Sequence, residues 1–218
     1  MRTTAPLVIF GGTFDPVHRA HISAARAVAR ELAAPVALLP NARPPHRSRP
    51  GASAAERLAM LQLAIAPYPE LSLDDRELKR QGPSYTIDTL NELRQAHPDR
   101  PLVLVLGADS LAQLHQWHQW QRYPALCHLA VLPRPGAPAP APAVLQAFPE
   151  TDAAHLQQYP GGWRLMLPAP NLDISSTSIR RALAAGLPCP ALDDRVLAHI
   201  RQHGLYTGHT DASPDEDS

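Results

Sequence analysis

Short apolar runs alternate along the chain with longer amphipathic stretches, a pattern that predicts an α/β protein on a mostly parallel sheet. Leu7 to Phe10 is an apolar run ending at Gly11-Gly12 and reads as the first strand. The Ala-rich stretch Ala20 to Ala33 reads as a helix stopped by Pro35, and Val36 to Leu39 as the second strand. Asn41 to Pro50 is a proline-rich basic loop, and Ala54 to Ala66 a helix ended by Pro67. Leu71 to Leu73 is a short strand, followed by the charged stretch Asp74 to Arg80. Ile87, Leu90 and Leu93 fall at helical spacing within Thr86 to His97, and Pro98 terminates that helix.

In the second half, Leu102 to Leu106 is the most strand-like run, ending at Gly107-Ala108-Asp109. Helical segments follow at Ser110 to His115 and Gln119 to Ala125, then a buried strand at His128 to Leu132. Gly136 to Pro142 alternates Ala with Pro and reads as an extended linker. Val144 to Gln158 reads as a helix interrupted at Pro149, and Leu165 to Leu167 as a last strand. Helices are predicted at Ser176 to Ala185 and at Asp193 to His203, the latter capped by Gly204. The expected fold is a Rossmann-like open parallel sheet with helices on both faces. Residues 1–206 form one domain in this reading, and the acidic tail 207–218 is expected to be disordered.

Composition narrows the function classes. With 218 residues, 44% of them hydrophobic, the chain can bury a core. Lys+Arg and Asp+Glu are equal at 20 each, which argues against a nucleic-acid groove but leaves room for a small anionic substrate. Lys79 is the only lysine, so arginine carries nearly all the positive charge. Cys127 and Cys189 make no disulfide framework or metal motif. No stretch approaches the roughly 20 apolar residues of a membrane span. Met1 to Pro6 lacks the basic-then-apolar layout of a signal peptide, so a soluble cytoplasmic protein is expected. Nothing in the sequence sets an oligomeric state.

Ligands of open parallel sheets sit at the carboxyl ends of strands. The loops Gly11 to His21, Pro40 to Arg47 and Gly107 to Trp120, with the entry to the Ser176 helix, are therefore the places to search. The first of them reads Gly-Gly-Thr-Phe-Asp-Pro-Val-His-Arg-Ala-His. It is neither a GxxxxGK[ST] loop nor GxGxxG. His18 and His21, three apart at a helix start, project to one side beside free helix-terminal amides, a setting suited to a polyphosphate. The plainer alternatives are two surface residues or a metal site, and the latter would want a third ligand. The second motif is Ile174-Ser-Ser-Thr-Ser-Ile-Arg180. One Ser or Thr there is an ordinary cap, but four hydroxyls with a guanidinium one turn later make a second anion cradle.

Together these two motifs resemble the nucleotidylyltransferase superfamily with an HxGH signature. Three further features are similar to the bacterial nicotinate-nucleotide adenylyltransferase family within it. They are Pro44-Pro45-His46-Arg47, Pro83-Ser84-Tyr85-Thr86-Ile87-Asp88-Thr89-Leu90, and Gly107-Ala108-Asp109-Ser110-Leu111 followed by Trp117. The resemblance spans roughly Leu7 to Tyr206. It implies a nucleotidylyltransferase-type fold and adenylyl transfer from ATP to nicotinate mononucleotide, with Mg²⁺ held mainly by the ATP phosphates. It implies that Gly12, Thr13 and Phe14 lie against ATP, with His18 and His21 at its phosphates. Ser176, Thr177, Ser178 and Arg180 would hold the triphosphate from the other side, and Asp109 the ribose or adenylyl part. Tyr85, Thr86, Trp117 and His118 would form the acceptor pocket, and Arg47 would face the mononucleotide phosphate. Trp120 reads instead as a core residue under a loop. The chain departs from the family pattern at Ala20 for Gly, Arg47 for Lys and His118 for Tyr. Phosphopantetheine adenylyltransferase is the nearest rival, but it lacks the Ser-Tyr-Thr and Trp elements. A non-catalytic nucleotide sensor of the same fold is a rival of a different class.

Overall fold

The computed structural model describes residues 5–42, 51–80, 82, 84–168 and 174–207. Its elements in chain order begin β1 (Leu7–Gly12), α1 (Arg19–Glu31), β2 (Val36–Pro40), α2 (Ala54–Ile65), β3 (Leu71–Leu73), α3 (Arg76–Lys79) and α4 (Thr86–Ala96). They continue β4 (Leu102–Gly107), α5 (Ala108–Gln113), β5 (His128–Leu132), α6 (Pro142–Ala147), α7 (Ala153–Leu156), β6 (Arg164–Met166), α8 (Ser176–Ala184) and α9 (Asp194–Gln202). All strand pairings are parallel, in the order β3-β2-β1-β4-β5-β6. The chain starts mid-sheet, winds outward to β3, then returns to lay β4 on the other side of β1. The order reverses between β1 and β4, so the loops leaving their carboxyl ends diverge and open a crevice.

Period-two alternation sorts the strands between two cores. Val8 and Phe10 of β1, Val103 and Val105 of β4 and Ala130 of β5 face a cluster with Ile22, Ala25 and Val28 of α1, Met60 and Leu61 of α2, Ile179 of α8 and Val196 and Ile200 of α9. Ile9, Leu102, Leu104, Leu106, Leu129 and Val131 face the other cluster, with Ile87, Leu90 and Leu93 of α4, Leu111 of α5 and Val144 of α6. Helices therefore cover both faces, as the runs of apolar residues predict for a parallel sheet. One close approach fixes a glycine: a Cβ on Gly161 would lie 2.8 Å from the backbone nitrogen of Cys127.

Several boundaries differ from the sequence reading. Val144 to Gln158 is not one helix but α6 and α7, with Glu150 bridging Arg164 between them. Pro149 forces the residue before it toward extended backbone, and Asp152 restarts a helix by accepting from the His155 N–H at 2.8 Å. Pro142, placed at the end of the linker, is instead the first residue of α6, where its missing N–H costs nothing. The charged stretch Asp74 to Arg80 contains α3. Leu114–Gln116 and Trp120–Ala125 are tight 3₁₀ segments, with Pro124 inside the second. The expected tail lies, from residue 208 onward, outside the described residues. No helix among the described residues is long and apolar enough to cross a membrane.

Candidate active site

The loop after β1 is built around buried side chains. The Phe14 ring, 2% exposed, folds back over Gly12, where a Cβ would meet it at 2.8 Å. Gly12 is therefore required by the loop's own packing. Phe14 itself takes a positive φ of 50° and packs edge-to-face with the rings of Phe10 and His21, at centroid distances of 5.9 and 5.0 Å. Asp15, next in the chain, is the hub of the loop. Its carboxylate accepts from the Gly51 N–H at 2.7 Å, the Ala52 N–H at 3.1 Å and the Tyr206 hydroxyl at 2.6 Å. Its backbone carbonyl accepts from Arg180 at 2.7 Å. A second buried group, Arg57, is 1% exposed and donates to the carbonyls of Thr13, Asn41 and Ala42 at 2.8, 2.8 and 3.3 Å. One guanidinium thus clamps the loops that leave β1 and β2.

His18 is the N-cap of α1, and the His21 ring stacks on it at 3.7 Å between centroids. Nδ1 of His21 accepts from the His18 backbone N–H at 3.3 Å, which assigns the proton to Nε2 and makes it a donor. Nδ1 of His18 is buried with no partner among the described residues. Burial pushes the His18 pKa down to about 4; burial, with His18 adjacent, pushes His21 well below the usual imidazole range. Both rings are neutral hydrogen-bond donors at pH 7, at the positive end of a helix whose first turn carries no acidic residue.

The start of α8 closes on the same loop. Ser176 donates to the Pro16 carbonyl at 3.1 Å, and Arg180 lies 3.7 Å from the Asp15 carboxylate. Ser175 and Ser178 cap each other, with the Ser178 N–H donating to the Ser175 hydroxyl at 3.1 Å. Thr177 accepts from Arg180 at 3.5 Å. The four hydroxyls therefore divide between capping, docking on the β1 loop and steering the guanidinium.

On the other side of Gly11–Thr13 lies a cavity of about 250 Å³ in the β1–β4 crevice. Gly107 and Ser110 line it from β4 and α5, and Trp117 and His118 from the segment beyond. Tyr85 and Thr86 line it from the start of α4. The Trp117 indole is half-buried and leans edge-on against Tyr123 at 6.3 Å. Tyr85 and His118 meet at 4.6 Å across the mouth. Deeper in, Glu77 is 3% exposed and accepts from the Thr89 hydroxyl at 2.9 Å. Burial pushes its pKa up, partly offset by the Thr89 hydrogen bond and the nearby Arg80 charge. A hollow of about 340 Å³ lies elsewhere, lined by Ile22, Arg26, Tyr68 and Val196, and reaches His18 from the α1 side.

The structure thus brings His18, His21, Ser176, Thr177, Ser178 and Arg180 around one end of the β1 loop, with Phe14 beneath. Gly12, Thr13, Tyr85, Thr86, Trp117 and His118 line the cavity at its other end. Asp109 sits at the start of α5 outside that lining, its carboxylate paired with Arg134 at 2.6 Å. Arg47 lies outside the described residues. Trp120 is half-buried against the second core cluster, as read. Sequence reasoning passed over Asp15 as an individual residue and missed Arg57, Glu77, Arg134 and Tyr206.

The cytidylyltransferase-like family profile matches residues 9–182. A probable nicotinate-nucleotide adenylyltransferase of Marinobacter nauticus is 45% identical over 91% of this chain and 95% of its own. One of Serratia proteamaculans is 44% identical over 94% and 96%. Among solved structures, the nicotinic acid mononucleotide adenylyltransferase of Plasmodium falciparum, complexed with NaAD, superposes with a TM-score of 0.74. It covers 93% of this chain and 98% of its own at 17% identity, a likeness of fold.

Proposed function

The chain belongs to the cytidylyltransferase-like family and, within it, to the nicotinate-nucleotide adenylyltransferases, and on that premise we propose how its crevice transfers an adenylyl group from ATP to nicotinate mononucleotide. The products are deaminated NAD and pyrophosphate. An oxygen of the acceptor's 5′-phosphate bonds to the α-phosphorus of ATP, and the bond from that phosphorus to the β-phosphate bridging oxygen breaks. A phosphomonoester is already ionised near pH 7, so no general base is needed. Catalysis rests on alignment and on donors aimed at growing charge.

The observation that carries this reading is the placement of two different surfaces at the two ends of one loop. At one end, His18, His21, Arg180 and the start of α8 at Ser176, Thr177 and Ser178, with its free backbone amides, receive the triphosphate. Neutral imidazoles suit this task, because their N–H bonds strengthen as the leaving pyrophosphate gains charge. The Gly12–Phe14 backbone runs along the adenylyl part, with Asp109 toward the ribose. At the other end, the Trp117 indole offers a platform for a flat pyridine ring. Thr86 opens α4, so the first-turn amides there favour a carboxylate on that ring. Tyr85 and His118 frame the mouth, and Arg47, outside the described residues, is the cation assigned to the acceptor phosphate from its motif alone.

A divalent cation fits as a partner of the triphosphate. Among the described residues the Asp15 carboxylate is spent on three hydrogen bonds and Asp109 is paired with Arg134, so the ion would be held by phosphates and water. Mg²⁺, held mainly by phosphates, supplies charge neutralisation when bound. Residues 1–206 act as one domain in this account, in the cytoplasm, with no nucleic-acid or membrane partner.

The test is pyrophosphate release on mixing the full chain with ATP and one acceptor at a time. Release with nicotinate mononucleotide, and none with phosphopantetheine, is expected. Release with phosphopantetheine alone, or with no acceptor, would overturn the reading.

A further inference from the structure

On the opposite flank from the cavity, α2 packs against α9, and three side chains meet there. Glu56 stands in the first turn of α2, while His199 and His203 sit one turn apart at the end of α9. Nε2 of His199 lies 2.5 Å from one Glu56 oxygen and Nδ1 of His203 lies 3.2 Å from the other. The two imidazoles stack at 4.2 Å, and ligand atoms of all three residues fall within 4.8 Å of one another. Among the described residues this is the one group of three such side chains gathered so closely.

The geometry points to a divalent transition-metal site formed by Glu56, His199 and His203. Two His at i and i+4, one in the last turn of a helix and one at its C-cap, with a carboxylate from a neighbouring helix make a donor set for Zn²⁺. Four ligands about 2.1 Å from a tetrahedral ion lie about 3.4 Å apart, so modest side-chain rotations suffice. Imidazole nitrogen suits Zn²⁺, Ni²⁺ or Cu²⁺ and not the hard Mg²⁺ that accompanies ATP. His203 is 40% exposed, which leaves the remaining coordination positions open to water.

The site's place in the fold gives it a purpose. Gly51 and Ala52, just before α2, and Tyr206, just after α9, together hold the Asp15 carboxylate. An ion joining the start of α2 to the end of α9 ties both halves of that clamp together, and through it the loop that carries His18.

The test is equilibrium dialysis of the chelator-stripped full chain, without nucleotide, against Zn²⁺, followed by metal analysis and zinc-edge X-ray absorption. One zinc per chain at about 10 μM free metal, with two imidazoles in its shell, is expected. His203→Ala and Glu56→Gln should each weaken binding by about tenfold or more. Both positions are partly exposed, so these variants keep the fold. His21→Ala, which disrupts the other imidazole pair, should leave binding unchanged. Absence of zinc at that level, undiminished binding in His203→Ala, or loss of the ion in His21→Ala would each overturn the assignment.

Discussion

Replacing Asp15 by Asn tests whether the buried carboxylate organises the β1 loop. In the wild type, one oxygen accepts from Ala52 N–H and Tyr206 O–H, and the other from Gly51 N–H at 2.7 Å. Asn keeps one acceptor oxygen. With that oxygen facing Ala52 and Tyr206, its NH₂ points at the Gly51 N–H, donor against donor. A buried donor left unpaired costs about 1–3 kcal/mol. The two surviving bonds lose their charge assistance, about 1 kcal/mol more. The 3.7 Å pair with Arg180 adds little, because that guanidinium is a third exposed. The expected loss is about 2–4 kcal/mol, which for a chain of this size lowers Tm by about 5–15 °C. Asp15→Ala, which orphans all three donors, should lose more, and Tyr206→Phe about 1 kcal/mol. Urea and thermal unfolding measure all three. An Asp15→Asn variant within about 0.5 kcal/mol of the wild type, the range of an ordinary surface change, would refute the hub.

Three other outcomes follow from the site. His18→Ala and His21→Ala should each lower kcat by about 10²–10³ while changing the KM for ATP far less, because their bonds strengthen in the transition state; steady-state kinetics with nicotinate mononucleotide decides it. His18, held neutral by burial, has a folded pKa of about 4 against about 6.5 unfolded, so the unfolded chain binds the extra proton between those values. Its stabilising effect is full above pH 6.5 and fades toward pH 4, worth about 3 kcal/mol in all; urea unfolding across that range should show it, and His18→Gln should flatten it. Glu77 is buried in the cavity proposed for the acceptor, where its carboxylate would repel an acid ring substituent, so Glu77→Gln should raise kcat/KM for the acid acceptor relative to the amide in steady-state kinetics.

What the sequence revealed depended on how a residue's role is encoded. The sheet was readable because parallel strands buried on both faces are written as runs such as Leu102–Leu106. The two segments proposed as anion cradles are readable because they are contiguous motifs at the ends of predicted elements. Arg57 has a legible signal that the reading missed: it lies at helical spacing from Met60, Leu61 and Ala64, on the buried face of α2. Glu77 has none, since it stands in the charged stretch Asp74 to Arg80, whose local pattern is that of a solvated face. Its burial depends on α4 folding over it and bringing Thr89. The same holds for Tyr206, whose hydroxyl reaches Asp15 across 191 positions of chain. Phe14 is expected from the motif to lie against ATP; that its ring packs beneath His21 has no signal in the local sequence. The helix break at Pro149 is visible as punctuation, and the second start is marked by the Asp152 cap three residues later.

The most direct test of the account is a side-by-side measurement of kcat/KM for nicotinate and nicotinamide mononucleotide with saturating ATP. The amides opening α4 at Thr86 should pair with the carboxylate of the acid and meet the amide's NH₂ unpaired. One such mismatch is worth about 1–3 kcal/mol, so the acid should be preferred by roughly tenfold or more. Trp117→Ala should raise the KM for the acid. Equal efficiency with the two acceptors would contradict an acid-selective pocket between α4 and Trp117.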